Sequence, residues 1–465
     1  QRIGPAVDGQ RMALEIFPAY TFIGRNDDLQ GQEVDQNGVF TLETHLSKDI
    51  TKEEFEKWNE PNKNTWYSVV RRDENGALVN IPYHEHYAAE IDKAANLLME
   101  AAKYADDEGF KKYLNLRAEA FLTDEYLASD LAWMDMKTNM IDFVVGPIES
   151  YEDQFMGIKA AHSGQILIRD MEWSQRLEKY GKLLPELQKS LPCEEQYKQE
   201  EARANSDMNV YDVIYYAGDC NAGSKNIAIN LPNDPRVHAA KGSRKLQLRN
   251  AMQAKFEKIL VPISEVLIAE DQRGHIKFDA FFENTMFHEV AHGLGVNNTI
   301  TGKGTVREAL QNHYSAIEEG KADIIGLYLV TKLHEMGEFP DKDLMDNYVT
   351  FMAGIFRSVR FGVTSAHGMA NMVRFNYFQE VGAFTRDEAK GTYSINFEKM
   401  QEAVREIGGA ILKIQGEGDY EAATKLIEEK GGIGETLQAD LKRIDEAGIP
   451  IDIRFNQGLE VAGLK

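Results

Sequence analysis

The pattern of apolar and polar positions changes period along the chain, and each change marks an element. Trp66 to Val70 and Ala77 to Ile81 read as short strands flanking Asn75-Gly76, a dipeptide that accepts the positive φ angles of a tight hairpin turn. From Tyr87 the period becomes 3.6. Ile91, Ala94, Ala95, Leu98 and Ala102 share one helical face, and the helical reading continues to about Met140. Strand signals return at Gln165 to Arg169, Val213 to Ala217 and Asn226 to Leu231, where Ile227, Ile229 and Leu231 alternate with Ala228 and Asn230. Residues 245 to 440 read as almost entirely helical, and a last alternation, Ile449, Ile451, Ile453 and Phe455, reads as a strand. This segregation predicts an α+β fold, mainly α, in two lobes with a cleft between them. Residues 1–244 form a mixed lobe of helices and a small sheet, 245–440 a helical lobe, and 441–465 a C-terminal strand segment returning to the mixed lobe, so that the chain crosses between lobes more than once.

Charge narrows the partners. The 465 residues carry 52 Lys+Arg against 75 Asp+Glu, a net charge of −23, and so negative a surface repels phosphate backbones and anionic lipid. Nucleic acid is therefore not an expected partner, and amine-bearing ligands are favoured. Cys193 and Cys220 are the only cysteines; two are too few for a disulfide scaffold or a thiolate zinc finger, and nothing in the sequence pairs them. The longest uncharged apolar stretches, such as Ile324 to Val330, fall far short of the roughly 20 residues that span a bilayer, so no membrane insertion is expected. The chain begins at Gln1 with no charged-then-apolar segment after it. The expected compartment is the cytoplasm, with the periplasm or secretion after leader removal as the alternative; oligomeric state is left open.

The chemistry concentrates in Phe287-His288-Glu289-Val290-Ala291-His292-Gly293, which contains the HExxH pattern. Two imidazoles four residues apart lie one turn above each other on a helix and suit one metal ion. Phe287, Val290, Ala291 and Leu294 cluster on one face, so the histidines point off that stripe, and Gly293 and Gly295 offer a helix stop. A second segment, Glu318-Glu319-Gly320-Lys321-Ala322-Asp323, places Glu319 and Asp323 on one face of a helix that continues apolar nearly all round. A carboxylate on a buried helix costs several kcal/mol unless a cation pairs with it. Zn2+ is the cation to expect. Two His nitrogens and one Glu oxygen make the three-ligand set of a catalytic site with a fourth position open, so His288, His292 and Glu319 are the predicted ligands. Glu318 or Asp323 would accept a hydrogen bond from the outward N–H of a ligand histidine. Glu289, next to the first ligand, would be the general base on zinc-bound water, and the reaction class is hydrolysis of a carbonyl compound, most simply a peptide bond. Three other features carry less. Gly302-Lys303-Gly304-Thr305 reads as a loop, because Gly304 interrupts the Lys-Thr pair of a phosphate-binding loop. His84-Glu85-His86 lacks a third ligand, and His313 falls on a different face from Glu319.

These residues resemble the zinc exopeptidases of the dipeptidyl peptidase III family. Ser315 to Leu329, SAIEEGKADIIGLYL, is similar to that family's second zinc motif; Ile148 to Asp153 resembles its IESYxD segment, Ile229 to Asn233 its INxPN segment, and Ser365-Ala366-His367 a stretch bearing a catalytic histidine. The matches run in family order over about 148 to 375. The resemblance implies that Tyr151 and His367 stabilise the carbonyl oxyanion, and that Glu149, Asn230 and Asn233 hold the substrate's N-terminal ammonium and first residues. The physical chemistry agrees, since a carboxylate with amide acceptors suits an ammonium, and a phenol and an imidazole can donate to developing charge. It also implies a helical zinc lobe and a lobe with a small β-barrel. The chain departs in having a pentapeptide, His288 to His292, where the family's usual motif is the hexapeptide HExxGH, so no bulge in the helix is required. The expected function is thus a zinc-dependent exopeptidase releasing dipeptides from the N-terminus of short peptides. The alternatives are another zinc aminopeptidase or oligopeptidase, or a non-catalytic peptide-binding member of the fold.

Overall fold

A computed structural model describes residues 49–454, 456 and 457, apart from 151–152, 154–157, 199–206, 223–224 and 340. Tyr151 and Phe455 lie outside the described residues. The chain forms two compact units. The first takes the described residues up to 175, Asp207–Ala251 and those from 454 on; the second takes 176–198 and Met252–Ile453.

In the first unit, helix α1 (Lys52–Lys57) is capped by the Thr51 side chain and precedes a hairpin of β1 (Ser68–Arg72) and β2 (Leu78–Pro82). The strands pair in register Val69↔Ile81, and the turn holds Gly76 at φ 81°, which a side chain would resist. Three helices follow: α2 (Ala88–Ala102), α3 (Glu108–Thr123) and α4 (Leu127–Asp135). The face of α2 read from the 3.6 period, Ile91, Ala94, Ala95, Leu98 and Ala102, is buried in the core of this unit. A five-stranded sheet comprises β3 (Ile141–Glu149), β4 (Ala161–Arg169), β5 (Asp207–Gly218), β6 (Ala228–Leu231) and β7 (Arg244–Leu248), in the order β3-β4-β5-β7-β6. Helix α5 (Met171–Ser190) leaves the sheet after β4. All pairings are antiparallel except β5 with β7.

Among the described residues the sheet is open: β3 and β6 are its edges and share no ladder, which corrects the expected barrel to a sheet. It curls nonetheless, because Asn233, two residues past β6, donates from Nδ2 to Ile148 O on β3 at 2.8 Å. The helical block also needs correction at its start. Arg244-Lys245-Leu246-Gln247-Leu248 is a fully buried strand, disguised in the sequence by its charges. Arg244 lies over the Trp133 ring at 4.4 Å and 3.3 Å from Asp142, which also accepts from Trp133 Nε1 at 2.8 Å and Tyr211 OH at 3.1 Å. Burial of that charge is tolerable because it is paired and hydrogen-bonded.

The second unit is built around α6 (Phe278–Ala291) and α7 (Tyr314–Glu335), with α8 (Leu344–Val359), α9 (Ala366–Glu380) and α10 (Phe397–Glu417) packed about them. Its core includes Phe282, Met286 and Phe287 from α6 and Ile324, Ile325, Leu327 and Leu329 from α7, all fully buried. A second hairpin, β8 (Phe384–Asp387) with β9 (Thr392–Ile395), interrupts the helices where the sequence reading expected none. Arg386 and Tyr393 on it both donate to buried Asp440, whose helix α11 (Glu435–Glu446) also supplies Arg443. The alternation at Ile449, Ile451 and Ile453 forms no strand; residues 449–454 find no ladder partner among the described residues, and alternation without a pairing edge does not make a strand. Among the described residues no helix is long and apolar enough to cross a membrane.

Candidate functional site

Helix α6 is α-helical without interruption from Phe278 to Ala291, so His288 and His292 keep true i, i+4 spacing. Their rings stand perpendicular, centroids 4.8 Å apart, with the two Nε2 atoms 3.2 Å from each other. The helix ends at Ala291, and four residues on Gly295 takes φ +85°. Two buried side chains fix that end. Lys321 Nζ donates to the carbonyls of His292 at 3.3 Å and Leu294 at 3.1 Å, setting a cation at the negative end of the helix dipole. Gln188, on α5, exchanges two hydrogen bonds with the Gly295 backbone, at 3.0 and 3.1 Å.

Helix α7 delivers the carboxylates. Glu319 Oε2 lies 3.4 Å from His288 Nε2, 3.8 Å from His292 Nε2 and 3.1 Å from Nδ1 of His367, the second residue of α9. One turn on, Asp323 Oδ1 pairs with His288 Nδ1 at 2.7 Å, while Glu318 Oε1 pairs with His292 Nδ1 at 2.9 Å. Each carboxylate is itself held: Asp323 by Arg374 at 2.5 Å, Glu318 by Lys321 at 2.8 Å and by Gln415 Nε2 at 2.7 Å. Burial alone would raise these acids, but their partners win. Lys321 and His292 bring Glu318 down to about 2, His288 and His367 hold Glu319 well below the usual carboxylate range, and Arg374 and His288 do the same for Asp323.

The donor set fits a small divalent cation. Ligands 2.0–2.1 Å from one tetrahedral ion lie about 3.3 Å from each other, against 3.2, 3.4 and 3.8 Å among His288 Nε2, His292 Nε2 and Glu319 Oε2. Among the described residues Glu319 Oε2 is buried with no well-aligned hydrogen bond, the state of an oxygen whose proper partner is a cation. Both Nδ1 atoms face carboxylates, which leaves Nε2 free to ligate. A second group, His275 with Asp343 and Asp346, also brings three ligand atoms together. It suits a cation less, since Asp343 already caps α8 at its positive end and is exposed.

Glu289 is half-buried on α6 beside His288. In the first unit, Glu149 ends β3, where the register shifts after Pro147. Its Oε2 accepts from Asn233 Nδ2 at 3.2 Å. Burial, with Asp219 adding to it, pushes the Glu149 carboxyl up to about 7 against the opposing effect of Asn233. Asn230 faces solvent on β6, opposite Lys245. Among the weaker sequence candidates, His84 sits in a one-turn helix with Nδ1 2.8 Å from Asp124, and His313 precedes α7 with its ring against Tyr420. The 302–305 segment is a loop whose Thr305 caps the next helix in a capping box with Glu308. Sequence reasoning missed Arg374, Gln188 and Gln415, which lie far along the chain from what they hold. Lys321 carried a signal: it stands three residues after Glu318 on one helix face.

Three comparisons bear on identity. The model of peptidase family M49 matches residues 26–296. Nudix hydrolase 3 of Arabidopsis thaliana is 41% identical over 385 residues, 82% of this chain but 49% of that protein, so the chain spans about half the length of this relative. Among solved structures, DPP III from Caldithrix abyssi superposes with a TM-score of 0.91 at 36% identity, covering 98% of this chain and 95% of that one. Dipeptidyl-peptidase III from Corallococcus sp. strain EGB follows with a TM-score of 0.78 at 31% identity, covering 99% and 92%.

Proposed function

The chain belongs to peptidase family M49, the dipeptidyl peptidase III family, and we propose that it is a zinc-dependent exopeptidase releasing dipeptides from the free N-terminus of short peptides. The observation that carries the metal is the convergence of His288, His292 and Glu319 with Glu319 Oε2 left unsatisfied. When bound, Zn2+ supplies Lewis-acid polarisation of a carbonyl and acidifies a water molecule.

The remaining work falls to the chain. Glu289 takes the proton from the attacking water and passes it to the leaving amine. Asp323 and Glu318 accept from the Nδ1–H groups of His288 and His292 and so fix both tautomers. His367 is proposed, with Tyr151, to donate to the carbonyl oxygen as negative charge develops on it. Glu149, Asn230 and Asn233 hold the substrate ammonium; a half-buried carboxyl beside an amide gives a charge-assisted bond to a cation and a poor welcome to a blocked, neutral terminus.

The test uses zinc-loaded protein on one peptide with a free and with an acetylated N-terminus, products read by mass spectrometry. Successive loss of two residues from the free peptide alone is the expected result. Single-residue release would replace the reading with an aminopeptidase, and internal cleavage of both peptides with an oligopeptidase. Peptide binding without turnover would make the chain a binding protein on a peptidase fold.

A further inference from the structure

We infer that Gly326 is a positioning residue of the metal centre, resting on the reading that His288, His292 and Glu319 hold Zn2+. Gly326 lies in the middle of α7, buried, seven residues after Glu319 and three after Asp323. Seven residues are close to two full turns, so Glu319 and Gly326 share the face that α7 turns toward α6. A side chain at Gly326 would meet backbone there: a Cβ would stand 2.7 Å from His288 N, 2.8 Å from Phe287 C and 3.0 Å from His288 Cα. The two helices thus touch main chain to main chain at the first ligand itself.

Glycine is among the poorest helix formers, and Gly326 has no turn or positive φ to justify it. The contact is its justification. Ordinary carbon contacts need about 3.5–4.0 Å, so a methyl group would push α7 off α6 by roughly 0.7 Å or more at this point. The obstacle is backbone, which cannot rotate aside as a flexible side chain would. Ligand positions in a metal site tolerate about 0.2 Å. The displacement is several times that, and it acts between the helix carrying His288 and His292 and the helix carrying Glu319 and Asp323. Gly320, on the same helix, differs: a Cβ there would meet Ile411 and Ala370 side chains at 3.7 and 3.9 Å, ordinary contact. Gly354 on α8 would meet nothing within 4 Å.

The test compares wild type, Gly326→Ala and Gly354→Ala, each stripped of metal and reloaded. Zn2+ affinity is read by competition with a chromogenic chelator, and ligand geometry by the visible absorption of the Co2+ form. Gly326→Ala is expected to weaken Zn2+ binding about 10- to 100-fold, the range seen when groups behind metal ligands are lost, and to change the Co2+ spectrum; Gly354→Ala changes neither. Wild-type affinity and spectrum in Gly326→Ala would overturn the inference even if its melting temperature fell, because a packing role alone predicts that pattern. Should Gly326→Ala fail to fold without metal, refolding it in excess Co2+ gives the decision: a folded variant with an altered Co2+ spectrum supports the inference, and one with the wild-type spectrum, or no rescue of folding by metal in a wild type that binds it, overturns it. Wild type that binds no Zn2+ would overturn the metal reading and this inference together, whereas Zn2+-competent wild type with an unaffected Gly326→Ala removes this inference alone.

Discussion

The helical unit and the sheet unit each carry residues proposed to act on the same peptide, and they hold them in different ways. On α6 each proposed histidine ligand is fixed by a partner from α7 that is itself fixed: His288 by Asp323 and then Arg374, His292 by Glu318 and then Lys321 and Gln415. In the sheet unit, among the described residues, Glu149 has Asn233 alone as a hydrogen-bonding side chain, and Asn230 stands in solvent. A metal centre needs ligands placed to a fraction of an ångström before the ion arrives. A subsite for a flexible peptide terminus can be completed by the peptide, so a sparse frame suffices there.

The largest expected effect removes chemistry and leaves that frame intact. Glu289→Ala should keep Zn2+ and lose turnover by about two to four decades, measured as kcat alongside zinc content. A variant hydrolysing peptide at the wild-type rate would strip Glu289 of its role. Next come the residues behind the ligands. Asp323→Asn and Glu318→Gln should each weaken Zn2+ binding about 10- to 100-fold, Asp323 more than Glu318, because its loss takes the ion-pair partner at 2.5 Å from the buried Arg374 guanidinium. Equal and unchanged affinities by chelator competition would show that the layered frame of the helical unit is ornament.

Legibility in the sequence follows the same division. The i, i+4 spacing of His288 and His292 and the run of carboxylates at Glu318, Glu319 and Asp323 are local facts of one helix each, and helical geometry turns spacing directly into position. The hairpin at Asn75-Gly76 and the face of α2 are local in the same sense. What escaped depends on contacts between distant segments. Strand β7 reads as polar because Arg244 and Lys245 are buried through partners elsewhere in the chain, and Gln188 meets Gly295 across more than 100 residues. The barrel expectation failed over one missing ladder: the edges of the sheet approach through a side chain, Asn233, and no alternation pattern distinguishes that from strand pairing.

The sheet unit is probed by pH. With its carboxyl pushed up to about 7 by burial, Glu149 is protonated at pH 5 to 6 and ionised above 8. Only the anion attracts an ammonium, so KM for a free-terminus peptide should fall as pH rises through about 7, and Glu149→Gln should lose that limb while raising KM about tenfold or more. For folding the sign is opposite: the folded state holds this proton more tightly than the unfolded chain, so the contribution is greatest below about 4.5 and is lost as pH rises through 7. An acidic limb surviving in Glu149→Gln would assign it to another group.

The smallest effects separate the two asparagines. Asn233 Nδ2 reaches both Ile148 O and Glu149 Oε2, so Asn233→Ala frees the curled edge of the sheet and leaves the carboxylate without its amide. At this exposed position a hydrogen bond is worth about 0.5–1.5 kcal/mol net, and KM should rise about 5- to 10-fold with kcat nearly unchanged. Among the described residues Asn230 makes no such bond and waits for the peptide to supply one, so Asn230→Ala should cost KM less, about 2- to 5-fold, the lower part of what one solvent-exposed hydrogen bond is worth. If Asn230→Ala proves the more damaging of the two, the peptide organises this subsite and the frame seen without it contributes little. The contrast with the helical unit, where the frame precedes the ligand, would then be sharper still.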